Sequence, residues 1–311
     1  MSLKGKDFLS IHDLTVDEIY QILDFTKVLK AKQKAGEPHQ LLKGKTLGMI
    51  FQKASTRTRV SFEVGMWQLG GMALFLSSND LQIGRGEPVK DTARVLSRYL
   101  DGIMIRTFSH LEVEELAEYA NIPVINALTD LLHPCQAMAD IFTAIEHKGE
   151  DLKGRKLCYI GDGNNMVNSL LHICAKVGMD ISVATPQNYA PDAVIVEQAA
   201  AIAKTSGSKI TILDDPYAAA KDADVLYTDV WASMGREGEQ AIRKQAFAGF
   251  QINSSLMQVA RKDALVMHCL PAHRGEEITD DVIEGPNSVV FDEAENRLHV
   301  QKAIMALLMA D

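Results

Sequence analysis

Apolar positions in this chain come in short blocks, not in strict alternation with polar ones. Blocks rich in Val, Ile, Leu and Met fall near 46–51, 72–77, 102–107 and 123–128. Six more follow near 155–161, 180–185, 209–213, 225–230, 264–269 and 288–292. Short continuous apolar runs bounded by turn residues suit strands buried on both faces, as in parallel sheets. Longer stretches with helical spacing separate most of them. Residues 191–206, rich in Ala, Val and Ile, are one case. Others are 135–147 and 294–310, the latter with Leu298, Ile304 and Leu308 on one side. Val60, Val64 and Trp67 stand at i, i+4 and i+7, which predicts a helix after the first strand. Strand and helix thus alternate throughout. That order predicts an α/β fold with doubly wound parallel sheets. A polar, Gly-containing stretch at 148–154 marks a seam between two domains, and 311 residues suffice for two.

Composition narrows the class. Hydrophobic residues make up 47% and charged residues 23%, as in an ordinary globular protein. No apolar run approaches the length of a membrane span, and the N-terminus is too polar for a secretory signal. Cys135, Cys158, Cys174 and Cys269 form no Cys-x-x-Cys pair, which points to a reducing cytoplasm and neither a disulfide framework nor a metal site. A net charge of -9 argues against nucleic acid as partner. It also makes local cations informative: Lys53, Arg57 and Arg59 lie in a stretch without an acid.

The chemistry-bearing residues gather where predicted strands end. Ser55-Thr-Arg-Thr-Arg59 joins the first strand to the helix after it. Hydroxyls, guanidiniums and helix-start N–H groups together suit a phosphate, although a capped helix with solvated arginines is written in the same letters. Arg106 ends a strand, at the rim where open α/β sheets bind ligands. His133 and Gln136, three apart, open a helix at Pro134; a histidine donor there suits an oxyanion and a glutamine carbonyl suits an NH₂ group. Gly161-Asp-Gly-Asn-Asn-Met166 follows a strand but lacks the third glycine and the downstream acid of a dinucleotide site. Asn164 and Asn165 offer amides to a polar zwitterion instead. Asp229 and Cys269 end two further strands; the thiol is either a nucleophile with His268 or His273 as base, or a packing and hydrogen-bonding group. Arg297 is read as the start of the last helix, where a cation opposes the macrodipole and so points to a ligand. Two polar loops, 77–91 and 231–250, have the character of binding loops.

In this order the motifs resemble the aspartate/ornithine carbamoyltransferases along nearly the whole chain. Ser55–Arg59 resembles the phosphate motif common to the family. Ser233-Met-Gly235 and His268-Cys-Leu-Pro271 resemble the branch that acts on ornithine. Cys135 stands where the family often has Thr, between the intact His133 and Gln136. The resemblance implies two domains with the active site in the cleft between them. Residues 1–147, completed by the helix 294–311, would bind carbamoyl phosphate, and 148–293 would bind ornithine. Ser55, Thr56, Arg57 and Thr58 would hold phosphate; Arg106 with Thr58 and His133 would polarise the carbamoyl oxygen. Gln136, the Leu270 backbone and Arg297 would hold the carbamoyl NH₂. Gln82 would come from a neighbouring subunit, implying a homotrimer. Asn165, Asp229, Ser233, Met234 and Cys269 would hold ornithine. The implied reaction forms citrulline and phosphate, in arginine synthesis, with no metal, cofactor or covalent enzyme intermediate. Competing readings are a carbamoyltransferase for putrescine, an acylated ornithine or aspartate, a dinucleotide-dependent oxidoreductase, and a two-lobed binding protein without turnover.

Overall fold

The computed structural model describes residues 3–233, 235 and 237–311. The chain forms two compact units, Met1–Met138 with Glu295–Asp311, and Ala139–Ala294. In chain order the first carries α1 (Val16–Lys34), β1 (Thr46–Phe51), α2 (Thr56–Gln68), β2 (Met72–Ser77), α3 (Val89–Leu96), β3 (Gly102–Arg106), α4 (His110–Tyr119) and β4 (Val124–Leu128). Helix α5 (Pro134–Lys148) contains the first division between units. The second unit holds β5 (Lys156–Ile160), α6 (Asn165–Val177), β6 (Asp180–Ala184), α7 (Ala193–Ser206), β7 (Ile210–Leu213), α8 (Pro216–Ala220) and β8 (Val225–Thr228). It continues with α9 (Gln240–Ala246), α10 (Ser254–Met257), β9 (Leu265–His268) and α11 (Asp280–Ile283); the last helix, α12 (Val290–Met309), contains the second division.

Both sheets are parallel, in orders β2-β1-β3-β4 and β7-β6-β5-β8-β9. The direction of winding reverses between β1 and β3 in one sheet, and between β5 and β8 in the other. Such switch points open a crevice beyond the carboxyl ends of the strands. Central strands are buried on both faces, through Met49, Ile50, Ile103 and Ile105 in one unit and Cys158, Ile160, Leu226 and Val266 in the other. Local chemistry sets the helix starts. Thr15 and Glu18 form a reciprocal capping box on α1, and Ser55 caps α2. Among the described residues, no helix is long and apolar enough to cross a membrane.

The α/β architecture and nine of the ten strands follow the sequence pattern to within about two residues at their ends. One strand reading needs correction. The block at 288–292 is not a strand: Ser288 makes a single bridge to Val266, and α12 begins at Val290. A short apolar run fits either element, and here it starts a helix. The helix expected from Val60, Val64 and Trp67 is present as α2, but a different face of it is buried. Val60 and Trp67 are 49% and 76% exposed, whereas Thr58, Phe62, Gly65 and Met66 are buried.

Candidate active site

In the first unit the crevice between β1 and β3 is furnished by the turns that follow the strands. Ser55 stands at the cap of α2, where its Oγ accepts the Thr58 N–H at 3.2 Å and its hydroxyl reaches Thr58 Oγ1 at 3.1 Å. Thr56 and Arg57 are exposed, Ser55 is half-buried and Thr58 is buried. Arg106 is the last residue of β3, 4% exposed, where the register with β4 shifts. His133 immediately precedes Pro134 at the start of α5, and its carbonyl accepts the N–H groups of Gln136 and Ala137. Arg297 donates from Nη1 to Gln136 Oε1 at 2.6 Å and from Nη2 to Thr58 Oγ1 at 3.3 Å.

These contacts bring residues far apart in sequence to one place. Burial holds His133 well below the usual histidine range, and the charges of Arg297, Arg106 and Arg57 lower it further. Its imidazole is therefore neutral at neutral pH and can donate one N–H. Three guanidiniums thus act on one buried imidazole beside a capped helix start, an arrangement suited to an anion with an adjoining carbonyl. Gln82 opens a 3-10 turn at Gln82–Arg85 and is exposed. One premise about Arg297 fails. It lies about two turns inside α12, so it does not oppose the start of the helix dipole. Its selection rests instead on its bonds to Gln136 and Thr58.

In the second unit the crevice lies between β5 and β8. Asp229 follows β8, is 7% exposed, and is satisfied on both oxygens. Oδ1 accepts the Val230 N–H at 2.8 Å and the Cys269 thiol at 3.1 Å; Oδ2 accepts Asn164 Nδ2–H at 2.7 Å. Burial first, then the Asp229 charge, pushes the Cys269 thiol well above its ordinary range. Cys269 is thus a protonated donor, the opposite of what an activated nucleophile needs. Leu270 is left-handed at φ 56, and its N–H donates to His268 Nδ1 at 2.9 Å. Asn165 is the first residue of α6 and Ser233 follows in the loop after β8; both are half-buried. Met234 lies outside the described residues.

Sequence reasoning chose Asn165 and passed over the role of its neighbour. Asn164 Oδ1 caps α6 by accepting the Met166 N–H at 2.9 Å, while its NH₂ orients Asp229. The signal was present: an Asn before a helix start is an N-cap. The same contacts explain why the Gly161–Met166 turn is a poor dinucleotide site. Its helix-start N–H groups are capped, and Asp162 is paired with Arg243 at 2.8 Å. Gly163 has no room for a Cβ, which would meet the Ala190 backbone at 2.3 Å. Asp229, His268 and Cys269 are close enough to frame a cation, but both nitrogens of His268 are engaged, by Leu270 and by Glu277.

Comparison with known proteins identifies the family. A model of the aspartate/ornithine carbamoyltransferase carbamoyl-P binding domain matches residues 6–146, and the Asp/Orn binding domain of the same family matches 153–308. The ornithine carbamoyltransferase of Syntrophotalea carbinolica is 61% identical, across 98% of this chain and 99% of its own length. An anabolic ornithine carbamoyltransferase of Pyrococcus furiosus is 57% identical, across 99% of this chain and 98% of its own. A solved structure of the P. furiosus enzyme superposes with a TM-score of 0.97, covering 99% of this chain and 98% of that one. One from Gloeobacter violaceus, 49% identical, gives 0.88 over 100% of both.

Proposed function

The chain belongs to the aspartate/ornithine carbamoyltransferase family, and from that premise we propose how its residues carry the carbamoyl group of carbamoyl phosphate to L-ornithine. The products are L-citrulline and phosphate, and the reaction serves arginine biosynthesis. Residues 1–147 with 294–311 bind carbamoyl phosphate, and 148–293 bind ornithine. Ser55, Thr56, Arg57 and Thr58 hold the phosphate, with Gln82 of a neighbouring subunit. Arg106 and His133 meet the carbamoyl oxygen. Gln136, Arg297 and the Leu270 backbone hold its NH₂. Asn165, Asp229, Ser233, Met234 and Cys269 hold ornithine.

The observation that carries this reading is the grip of Arg297 on Gln136 Oε1 and Thr58 Oγ1, in the unit that also buries Arg106 and His133. Attack on the carbamoyl carbon places negative charge on its oxygen. Arg106, Thr58 and the His133 N–H are the donors that meet it, and losing one such donor typically costs about 10²–10³ in rate. The nucleophile must be the free amine, although an alkylammonium has a pKa near ~10.4. A bare carboxylate beside it would hold the proton on. Asp229 keeps its charge, but both oxygens already accept from Val230, Cys269 and Asn164, so it is not a bare proton acceptor for the amine, and desolvation is the effect that lowers the amine's pKa. The departing phosphate accepts the proton.

Self-association completes the reading. Val60, Trp67 and Met72 are 49%, 76% and 59% exposed on α2 and β2, and β2 is a sheet edge. Arg59 of α2 lies over the Phe75 ring of β2 at 3.8 Å, which joins the two elements in one surface. An apolar face of this kind suits a partner subunit, here in a homotrimer. Four free thiols suit the cytoplasm. The decisive experiment measures product from carbamoyl phosphate with ornithine, putrescine, N-acetylornithine and aspartate in parallel. Faster product formation with any amine other than ornithine would overturn the assignment.

A further inference from the structure

The catalytic set of the first unit stands on three strand exits, and one side-chain ring ties two of them together. Gln52 follows β1, three residues before Ser55. Thr107 follows Arg106 directly and is fully buried. The Thr107 hydroxyl reaches Gln52 Oε1 at 2.8 Å and also contacts a Glu112 carboxylate oxygen; Gln52 Nε2 donates to the other Glu112 oxygen. The ring is closed by backbone. Gln52 N–H donates to the Arg106 carbonyl at 2.9 Å, and Thr107 N–H to the Leu128 carbonyl at 3.0 Å. Glu112 itself is anchored, because the next residue, Val113, is buried with Leu116 against Ile50, Ile103 and Ile105.

This ring sits where the register between β3 and β4 shifts, at Ile105/Arg106. The extra residue, Ala127, belongs to β4, so Arg106 pairs with Leu128 past the shift, and the ladder on that side no longer sets its spacing in regular steps. Something must then fix where Arg106 points relative to the helix start at Ser55. Phosphate and carbamoyl carbon belong to one small molecule, so a small change in that spacing misaligns one group whenever the other is seated. From this geometry we infer that Glu112, on α4 and outside the substrate contacts, is a positioning residue that sets the spacing of Arg106 from the Ser55–Thr58 cradle through Gln52 and Thr107. The inference rests on the carbamoyl phosphate reading of that cradle.

Two substitutions of Glu112 separate positioning from mere support. Glu112→Ala opens the ring. Glu112→Gln keeps an oxygen for the Gln52 amide and a polar group against Thr107. The alanine variant should lose about tenfold or more in kcat/KM for carbamoyl phosphate, with the ornithine KM unchanged, and the glutamine variant should recover most of it. Calorimetry with carbamoyl phosphate alone should show the same order of affinities. Thr107→Val opens the ring from β3, and serves alone if Glu112→Ala does not fold. Combined with Glu112→Ala, it should cost little more than the worse single change, since both break one unit. The inference fails if the losses add, if Gln is no better than Ala, or if both substrates suffer together in step with the melting temperature. Citrulline formation by the unaltered chain tests the underlying reading separately, and normal kinetics in Glu112→Ala would remove the positioning role alone.

Discussion

Thr58 shows how much one residue does here. Its N–H is capped by Ser55, its hydroxyl lies within reach of Ser55 Oγ, and the same oxygen accepts from Arg297. Arg57, one position earlier, is exposed and lowers His133 through its charge. Arg57→Gly should therefore remove phosphate affinity and nearly all citrulline formation, about 10² or more in kcat/KM, while the fold persists. Carbamoyl phosphate affinity equal to that of the unaltered chain would exclude Arg57 from the cradle. On the amine side, Cys269→Ser keeps a donor to Asp229 but exchanges a large, soft sulfur for a smaller oxygen. The expected result is a raised ornithine KM and a displaced pH profile, with carbamoyl phosphate binding intact. A carbamoylated cysteine trapped by mass spectrometry would show covalent catalysis instead. At this scale the position of a reactive type was most legible at a strand's end or in the turn after it, as at Ser55, Arg106, His133 and Asp229. It was least legible where the function of a residue depends on a distant partner. Nothing near Asn164 in sequence announces Asp229, and nothing near Arg297 announces Gln136.

The elements were legible for a related reason. Strands buried on both faces must be apolar throughout, so β1, β3, β5 and β8 stand out as blocks. The face of a helix is harder, because spacing identifies a stripe without naming what covers it; α2 buries Phe62 and Met66 and exposes Trp67. Helix α12 is harder still, being buried nearly all round with a lysine inside. Lys302 is fully buried, and its Nζ meets His39 Nε2 at 2.6 Å, Gln68 Oε1 at 2.8 Å and Gln33 Oε1 at 3.4 Å. Because His39 Nδ1 faces the Glu37 carbonyl, its Nε2 carries the lone pair, so three ammonium protons meet three neutral acceptors. Burial lowers Lys302 to about 8 from 10.5. Below pH 8 it is charged in both folded and unfolded chain and adds no slope. Between about 8 and 10.5 the unfolded chain holds the extra proton, so stability from this group rises with pH. His299, the nearby histidine, is held down to about 4 chiefly by burial and stays neutral throughout that window. Lys302→Met should flatten this alkaline rise in denaturation midpoint. An equal slope in both proteins would show that Lys302 does not titrate there.

At the scale of the whole molecule, chemistry and assembly make one testable claim. The exposed apolar face on α2 and β2 belongs to the same unit as the proposed phosphate cradle, and α2 carries Arg57 and Thr58 at its other end. Gln82, beyond β2, is exposed in its own chain. In the proposed trimer, a head-to-tail ring joins unlike surfaces, so each site would combine Arg57 of one chain with Gln82 of the next. Sharing of that kind leaves a signature no single substitution can give. Arg57→Gly and Gln82→Ala should each be nearly inactive as pure proteins. Co-expressed in equal amounts, they should assemble a mixture of parental and hybrid rings in which, averaged over all rings, about one site in four has an intact Arg57 and receives an intact Gln82. Activity should then return to roughly a quarter of that of the unaltered protein, far above either parent. Trp67→Glu, placed on the same hybrids, puts a charge on the apolar face and should abolish the rescue as the particle mass falls to that of one chain. If Gln82 acts within its own chain, co-expression yields only the mean of two defective proteins. If it does not act at all, Gln82→Ala is active from the start. Sedimentation and citrulline assays on the same samples distinguish these three outcomes.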